Sequence, residues 1–220
     1  MSTETQEHDP LLAHQFEDVE QQTDSYVLGM WVFLVTEVLF FGGMILAFIL
    51  YRNMYFPAFA EAHQKLDWRL GGVNTIVLLT SSFTMAMAVW ASQKRDYGKQ
   101  LMFLTITVLC ALAFLVIKYF EYSAKFEHHL VPGTNFHFDG QNQNGVQLFF
   151  GLYFALTGLH GFHVLVGVLV IGVLMFRVWK LRKQEQDYVP TELVGLYWHF
   201  VDIVWIFLYP MLYLLGGVHI

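Results

Sequence analysis

The sequence predicts an all-α, polytopic membrane protein: a bundle of five transmembrane helices. Three observations carry this. Apolar residues make up 56% of the 220-residue chain and charged residues only 14%, against about 25% charged in an ordinary soluble domain. Five runs are almost free of charge: Val27–Leu50, Leu70–Ala91, Leu101–Ile117, Val146–Phe176 and Leu193–Val218. Of 12 basic and 18 acidic residues, only Glu37 and Asp202 fall inside those runs. A membrane-crossing helix needs roughly 20 apolar residues. A membrane barrel would instead show alternating segments of about 10 residues, and these runs do not alternate.

Taken in order, the chain opens with an acidic stretch. Residues 1–25 hold Glu4, Glu7, Asp9, Glu17, Asp18, Glu20 and Asp24 and no Lys or Arg. That stretch reads as a solvated, disordered tail ahead of a membrane domain over 26–220. It lacks the basic start and short apolar core of a secretory signal. The membrane domain is expected to form helices at about 27–50, 70–91, 101–120, 146–176 and 193–218. The third run is short, and reaches Phe120 if Lys118 snorkels towards the headgroups. The polar segment DGQNQNGVQ (Asp139–Gln147) enters the fourth run, which is too long for an upright span and should tilt or project. Pro210 should kink the last helix. The many glycines of the runs, among them Gly42, Gly43, Gly71, Gly72, Gly151, Gly158, Gly161, Gly167 and Gly172, suit close helix packing in lipid.

Basic residues set the orientation. Five spans put the termini on opposite sides. The N-terminal side carries Lys94, Arg95, Lys99, Arg177, Lys180, Arg182 and Lys183; the other carries Arg52, Lys65, Arg69, Lys118 and Lys125. The dense cluster Arg177–Lys183 places the N-terminus in the cytoplasm and the C-terminus outside. The single cysteine, Cys110, excludes an internal disulfide and reads as a buried thiol. A net charge of −6 argues against nucleic acid. No nucleophile elbow, phosphate loop or HExxH motif is present.

The chemistry lies in the intramembrane polar residues, each costing about 2.5–3.5 kcal/mol at mid-bilayer. Glu37 in WVFLVTEVLFFGG can take up a proton or pair with a neighbouring helix. It reads either as a hydrogen-bonded link between helices or as a proton-linked or lipid-facing site. His160 and His163 in LTGLHGFHVLVG share a helical face, as do His199 and Asp202 in YWHFVDIVWIFLY. Interhelical hydrogen bonding fits these better than haem or copper, because neighbours three apart cannot clamp one iron from opposite sides. The tryptophans and tyrosines Trp198, Trp205, Tyr209 and Tyr213 read as packing or interfacial anchors.

In order, these segments resemble subunit III of the haem–copper respiratory oxidases, the cytochrome c oxidase subunit 3 family, in its short bacterial five-helix form. WVFLVTEVLFFGG is similar to that family's helix with a buried glutamate. NTIVLLTSSFTMA (Asn74–Ala86) resembles the helix that follows, and FEYSAKF (Phe120–Phe126) its Glu-Tyr segment. LTGLHGFHVLVG and YWHFVDIVWIFLY are the most specific stretches. Arg177, fourteen residues after His163, and Glu192, seven before His199, keep the family spacing.

The resemblance implies a subunit with no catalytic residue, haem, copper or other metal of its own. Haem and copper would lie in the partner catalytic subunits. It implies contact with oxidase subunit I, and with subunit II, in a bacterial inner membrane. There the chain would stabilise subunit I, support proton uptake and bind phospholipid. Carried over by position, Glu37, His160, His163, His199 and Asp202 form the buried polar, proton-linked set. Arg177 and Glu192 become candidates for lipid headgroups. The chain lacks the two extra helices of long members, so a lipid cleft would need partner helices to complete it. The electron donor of the parent complex stays open between cytochrome c and quinol, and a nitric oxide reductase accessory subunit is a neighbouring reading. Readings of a different class are a stand-alone b-type haem protein and a small proton-coupled transporter using Glu37 and Asp202.

Overall fold

The computed structural model describes residues 15–133, 136–138, 140, 142–181 and 188–215. Glu4, Glu7, Asp9, Asp139, Arg182 and Lys183 lie outside these, as does the chain beyond Leu215. Six α-helices follow one another: α1 (Val19–Met54), α2 (Phe56–His63), α3 (Trp68–Gln93), α4 (Tyr97–Glu127), α5 (Gln143–Leu181) and α6 (Val189–Tyr209). One π-helical turn, Pro210–Leu214, extends α6. All but α2 are long and apolar enough to cross a membrane.

The helices α1, α3, α4 and α5 outrun the charge-free segments inside them, and capping residues start three of these. Asp18, Asp67 and Asp96 are the N-caps of α1, α3 and α4, accepting from the backbone N–H of Gln21 at 2.6 Å, Arg69 at 2.9 Å and Lys99 at 3.1 Å. A capping carboxylate satisfies N–H groups that the helix leaves unpaired. The Lys99 side chain also grips Asp96 at 2.8 Å; its hydrogen bonds hold that carboxyl below the usual carboxylate range. Capping at Asp18 makes residues 19–25 helical, so the described part of the acidic stretch is not all tail. The helix α2, which the sequence reading had not expected, starts with Pro57 in its first turn, where a missing N–H costs nothing. Its Phe59 wedges between Phe48 of α1 and Phe149 of α5, at centroid distances of 5.5 and 5.3 Å.

At 39 residues, α5 is roughly 58 Å long, well beyond a hydrocarbon core of about 30 Å. It must tilt or project, as its sequence length requires. The α-helical hydrogen bonding ends at Tyr209, and from Pro210 the backbone continues as a wider π turn. Two carbonyls at the end of this last turn are taken up by α1 and α2: His63 Nδ1 lies 3.1 Å from the Leu212 carbonyl, and Arg52 Nη2 donates to that of Leu215.

The helix α1 is the most exposed of the spans, with Leu28, Trp31, Val32, Val35, Val38, Leu39 and Leu46 turned outward. In water such a face would drive association; in a bilayer it matches the acyl chains. Glycines divide into two groups. A Cβ on Gly167 would lie 2.6 Å from Trp198, one on Gly71 2.8 Å from Tyr209, and one on Gly195 2.9 Å from Val89. Gly42, Gly43, Gly161 and Gly172 have nothing within 4 Å, so close packing explains only part of the set. Gly167→Ala should therefore destabilise the protein by about 1–3 kcal/mol through overpacking. Gly161→Ala should be neutral or slightly stabilising, since Ala is the better helix former. Thermal unfolding of the two variants in detergent separates them; equal effects would contradict the packing.

Candidate functional site

The bundle interior is polar at several levels, and α6 threads through all of them. Its tryptophans donate to α3: Trp198 Nε1 to Ser81 Oγ at 2.9 Å and Trp205 Nε1 to Thr75 Oγ1 at 3.1 Å. One level binds α3, α4 and α6 at the end that also carries Arg177. Here Gln100 Nε2 donates to Thr191 Oγ1 at 3.0 Å, and Gln93 Nε2 to Glu192 Oε1 at 2.6 Å. Thus Glu192 is engaged within the protein, while Arg177 is exposed near the end of α5.

Glu37 reaches α5. Its Oε2 lies 3.2 Å from His163 Nε2. His163 Nδ1 lies 2.9 Å from the Leu159 carbonyl, which can only accept, so Nδ1 carries a proton. A neutral His163 then offers a bare Nε2 as an acceptor to a carboxylic acid, and an imidazolium would offer an N–H donor to a carboxylate; the geometry accommodates either. Phe41 and Phe162 flank the ring at 5.2 and 6.0 Å.

The other three residues of the set do not join this pair. His199 is half-buried and bonds across to α3, its Nδ1 2.8 Å from Ser82 Oγ, not to Asp202 on its own helix. Asp202 is 3% exposed; it interacts with Ser82, although neither oxygen has a well-formed hydrogen bond among the described residues. His160 is fully buried, with its ring 5.1 Å from Trp205 and 5.4 Å from Phe114. Spacing of three residues does give a shared face, but His160 meets α4 and α6 while His163 meets α1, and His199 and Asp202 both turn to Ser82 of α3.

The densest constellation was missed in the sequence reading. Lys118 does not snorkel. It points inward, 2.9 Å from Glu121 Oε2 and 2.6 Å from Tyr213 Oη. Tyr213 and Tyr153 donate to Glu121 Oε1 at 2.6 and 2.9 Å. The ammonium also sits 4.7 Å from the Trp205 ring centroid, within cation–π range. Both Lys118 and Glu121 are buried, so this is a charged pair inside the helix bundle. Four lone-pair positions on Glu121 and three donors on Lys118 are nearly all used. The available signal was the i,i+3 spacing of Lys118 and Glu121 beside Tyr122, just past the charge-free run Leu101–Ile117. Cys110 is half-buried and free, not fully buried. Among the described residues, no three His, Cys, Asp or Glu side chains gather as they would around a metal ion.

Residues 13–217 match the family described as cytochrome c oxidase subunit III. The chain belongs to the cytochrome c oxidase subunit III family. A relative in Alkalihalophilus pseudofirmus, cytochrome c oxidase subunit 3, is 33% identical over 86% of this chain and 86% of that protein. The protein of the same name in Bacillus subtilis is 31% identical over 92% of both chains. A Pseudomonas aeruginosa relative, cytochrome bo(3) ubiquinol oxidase subunit 3, is 28% identical over 94% of this chain and 92% of its own. Subunit III proteins are accessory subunits of haem–copper oxidases and carry no redox centre of their own. The family membership and the five spans make the chain a membrane protein within an oxidase complex.

Proposed function

We propose that the chain is the non-catalytic subunit III of a proton-pumping terminal oxidase of the cytochrome c oxidase type. It would sit beside subunit I, with subunit II in the same complex, and stabilise the catalytic subunit while supporting proton uptake. Haem and copper would belong to those partners. The observation that carries this reading is the alignment with oxidase subunits 3 along nearly the whole chain. Relatives named for cytochrome c and for ubiquinol both align over most of the chain, which fits an electron donor recognised by other subunits. Glu37, paired with His163, is the proton-linked position of the set. Arg177, exposed at the helix end, is the residue available to a lipid phosphate; Glu192 would have to leave Gln93 first. Mild-detergent purification followed by mass spectrometry of co-purifying chains tests the reading. Recovery of the chain alone, without a haem–copper subunit, would sink it.

The orientation we infer is N-terminus cytoplasmic and C-terminus outside, in a bacterial inner membrane. It is supported by Arg177 and Lys180, basic and exposed at one end of α5, each worth about 1 kcal/mol against anionic lipid. In a Cys110→Ser background, Lys180→Cys is expected to react with an impermeant thiol reagent only from the cytoplasmic face. Labelling of intact cells from outside would invert the topology.

A further inference from the structure

The helices α1 and α6 part on their outer side and leave a groove of about 510 Å³, room for several side chains. Phe41 of α1 and Phe200 and Val204 of α6 are buried beneath it, while Val38 and Ile203 stand exposed along its rims. Two residues interrupt this bulky apolar lining. Gly42 opens a notch, since a Cβ there would meet nothing within 4 Å. Glycine weakens a helix relative to alanine, and nothing in this chain comes close enough to Gly42 to need the space.

The second is His199, the one titratable side chain among the lining residues. Ser82 of α3 engages its Nδ1 at 2.8 Å. Its other ring nitrogen, Nε2, bonds to no described residue and is not enclosed within the bundle. Contact between the Phe41 and Phe200 rings, at 6.2 Å, sets their neighbours Gly42 and His199 at a similar height along the groove.

Depth selects the occupant. His199 stands ten positions from either end of α6 (Val189–Tyr209), about 15 Å of helix each way. That helix is about as long as the hydrocarbon core is thick, roughly 30 Å, so His199 lies well away from both surfaces. The polar oxygens of a lipid sit at those surfaces, and an acyl chain in the groove would bring Nε2 no partner. A transmembrane helix can carry a hydrogen-bonding side chain to any depth, and small residues let two such helices approach closely. The chain's family works in complexes with other membrane subunits, so helices of that kind are at hand. We infer that the α1–α6 groove receives one transmembrane helix of another oxidase subunit. Its backbone comes closest at Gly42, and one of its polar side chains bonds His199 Nε2. This rests on the reading of the chain as a subunit of an oxidase complex and adds the face on which it docks.

The test uses the intact complex in mild detergent. Benzoylphenylalanine incorporated at Val38 or at Ile203 should, on irradiation, form an adduct that mass spectrometry assigns to a membrane-spanning segment of another oxidase subunit. Gly42→Leu fills the notch without striking anything in this chain, so the chain should fold but be retained in the complex at least about tenfold less well. Gly43→Leu has equally open space beside it but lies outside the groove, and should be retained normally. In a complex that holds its other subunits, adducts with lipid alone or with a second copy of this chain alone overturn the inference and leave the parent reading standing. So does retention that Gly42→Leu leaves unchanged, or that Gly43→Leu lowers as much. A preparation with no haem–copper subunit overturns both.

Discussion

Glu121→Gln is expected to be the most damaging conservative change in the membrane domain. It leaves the Lys118 ammonium buried in the bundle, facing an amide where it had a carboxylate 2.9 Å away. Breaking a buried ion pair from one side typically costs about 3–5 kcal/mol, a shift on the order of 10 °C in unfolding midpoint for a chain of this size. The loss is of charge balance, not of shape, so the remedy is also electrostatic. Adding Lys118→Met to Glu121→Gln removes the stranded charge and should recover most of the stability, because neutral replacements of whole buried pairs are often tolerated. Lys118→Met alone should fall between the two, since Tyr153 and Tyr213 still donate to Glu121. Unfolding of the four proteins in one detergent measures the coupling. A double variant as unstable as Glu121→Gln would show that the pair is not the reason for the loss.

At Glu37 the expectation runs the other way for the same amide. Glu37 Oε2 lies 3.2 Å from His163 Nε2, and a glutamine N–H can donate to a neutral Nε2 just as a carboxylic acid does. Glu37→Gln should therefore leave assembly and initial oxygen consumption of the complex near normal. Glu37→Ala removes the link between α1 and α5 and leaves the His163 nitrogen half-buried without its partner, a cost of about 1–3 kcal/mol. It should appear as looser subunit association or shorter-lived turnover. Traces of oxygen consumption over time distinguish a stability effect from a chemical one. Immediate, complete loss of turnover in an assembled Glu37→Gln complex would mean that the carboxyl takes part in the reaction.

The contrast between these carboxyls also shows what could be read from the sequence. Five spans were legible because the bilayer imposes length and apolarity on each segment independently. Glu37 and Asp202 stood out because an acid is conspicuous in an uncharged run. Lys118 did not, since a lysine close to a helix end normally carries its charge outward along its own stem. What turned it inward is Tyr213, 95 residues away, and no local pattern encodes that. The pairing of His199 with Ser82 was hidden for the same reason: spacing gives the face of one helix, and the partner is chosen by the register of another. The short helix α2 was missed because it holds its place through Phe48 and Phe149 rather than through any long apolar period.

The π turn at Pro210–Leu214 has a bearing on how the protein is made. During synthesis the last turn emerges after every other part of the bundle. Until it arrives, the Glu121 carboxylate lacks the Tyr213 donor and the Lys118 ammonium lacks the Tyr213 oxygen. His63 and Arg52, near the ends of α2 and α1, have no Leu212 or Leu215 carbonyl to meet. The first and third spans thus enter the bilayer carrying polar groups whose partners are translated last. A chain broken off before Tyr213 exposes those groups to neighbouring lipid and protein, and so carries a visible mark of incompleteness for the cell's membrane proteases to find.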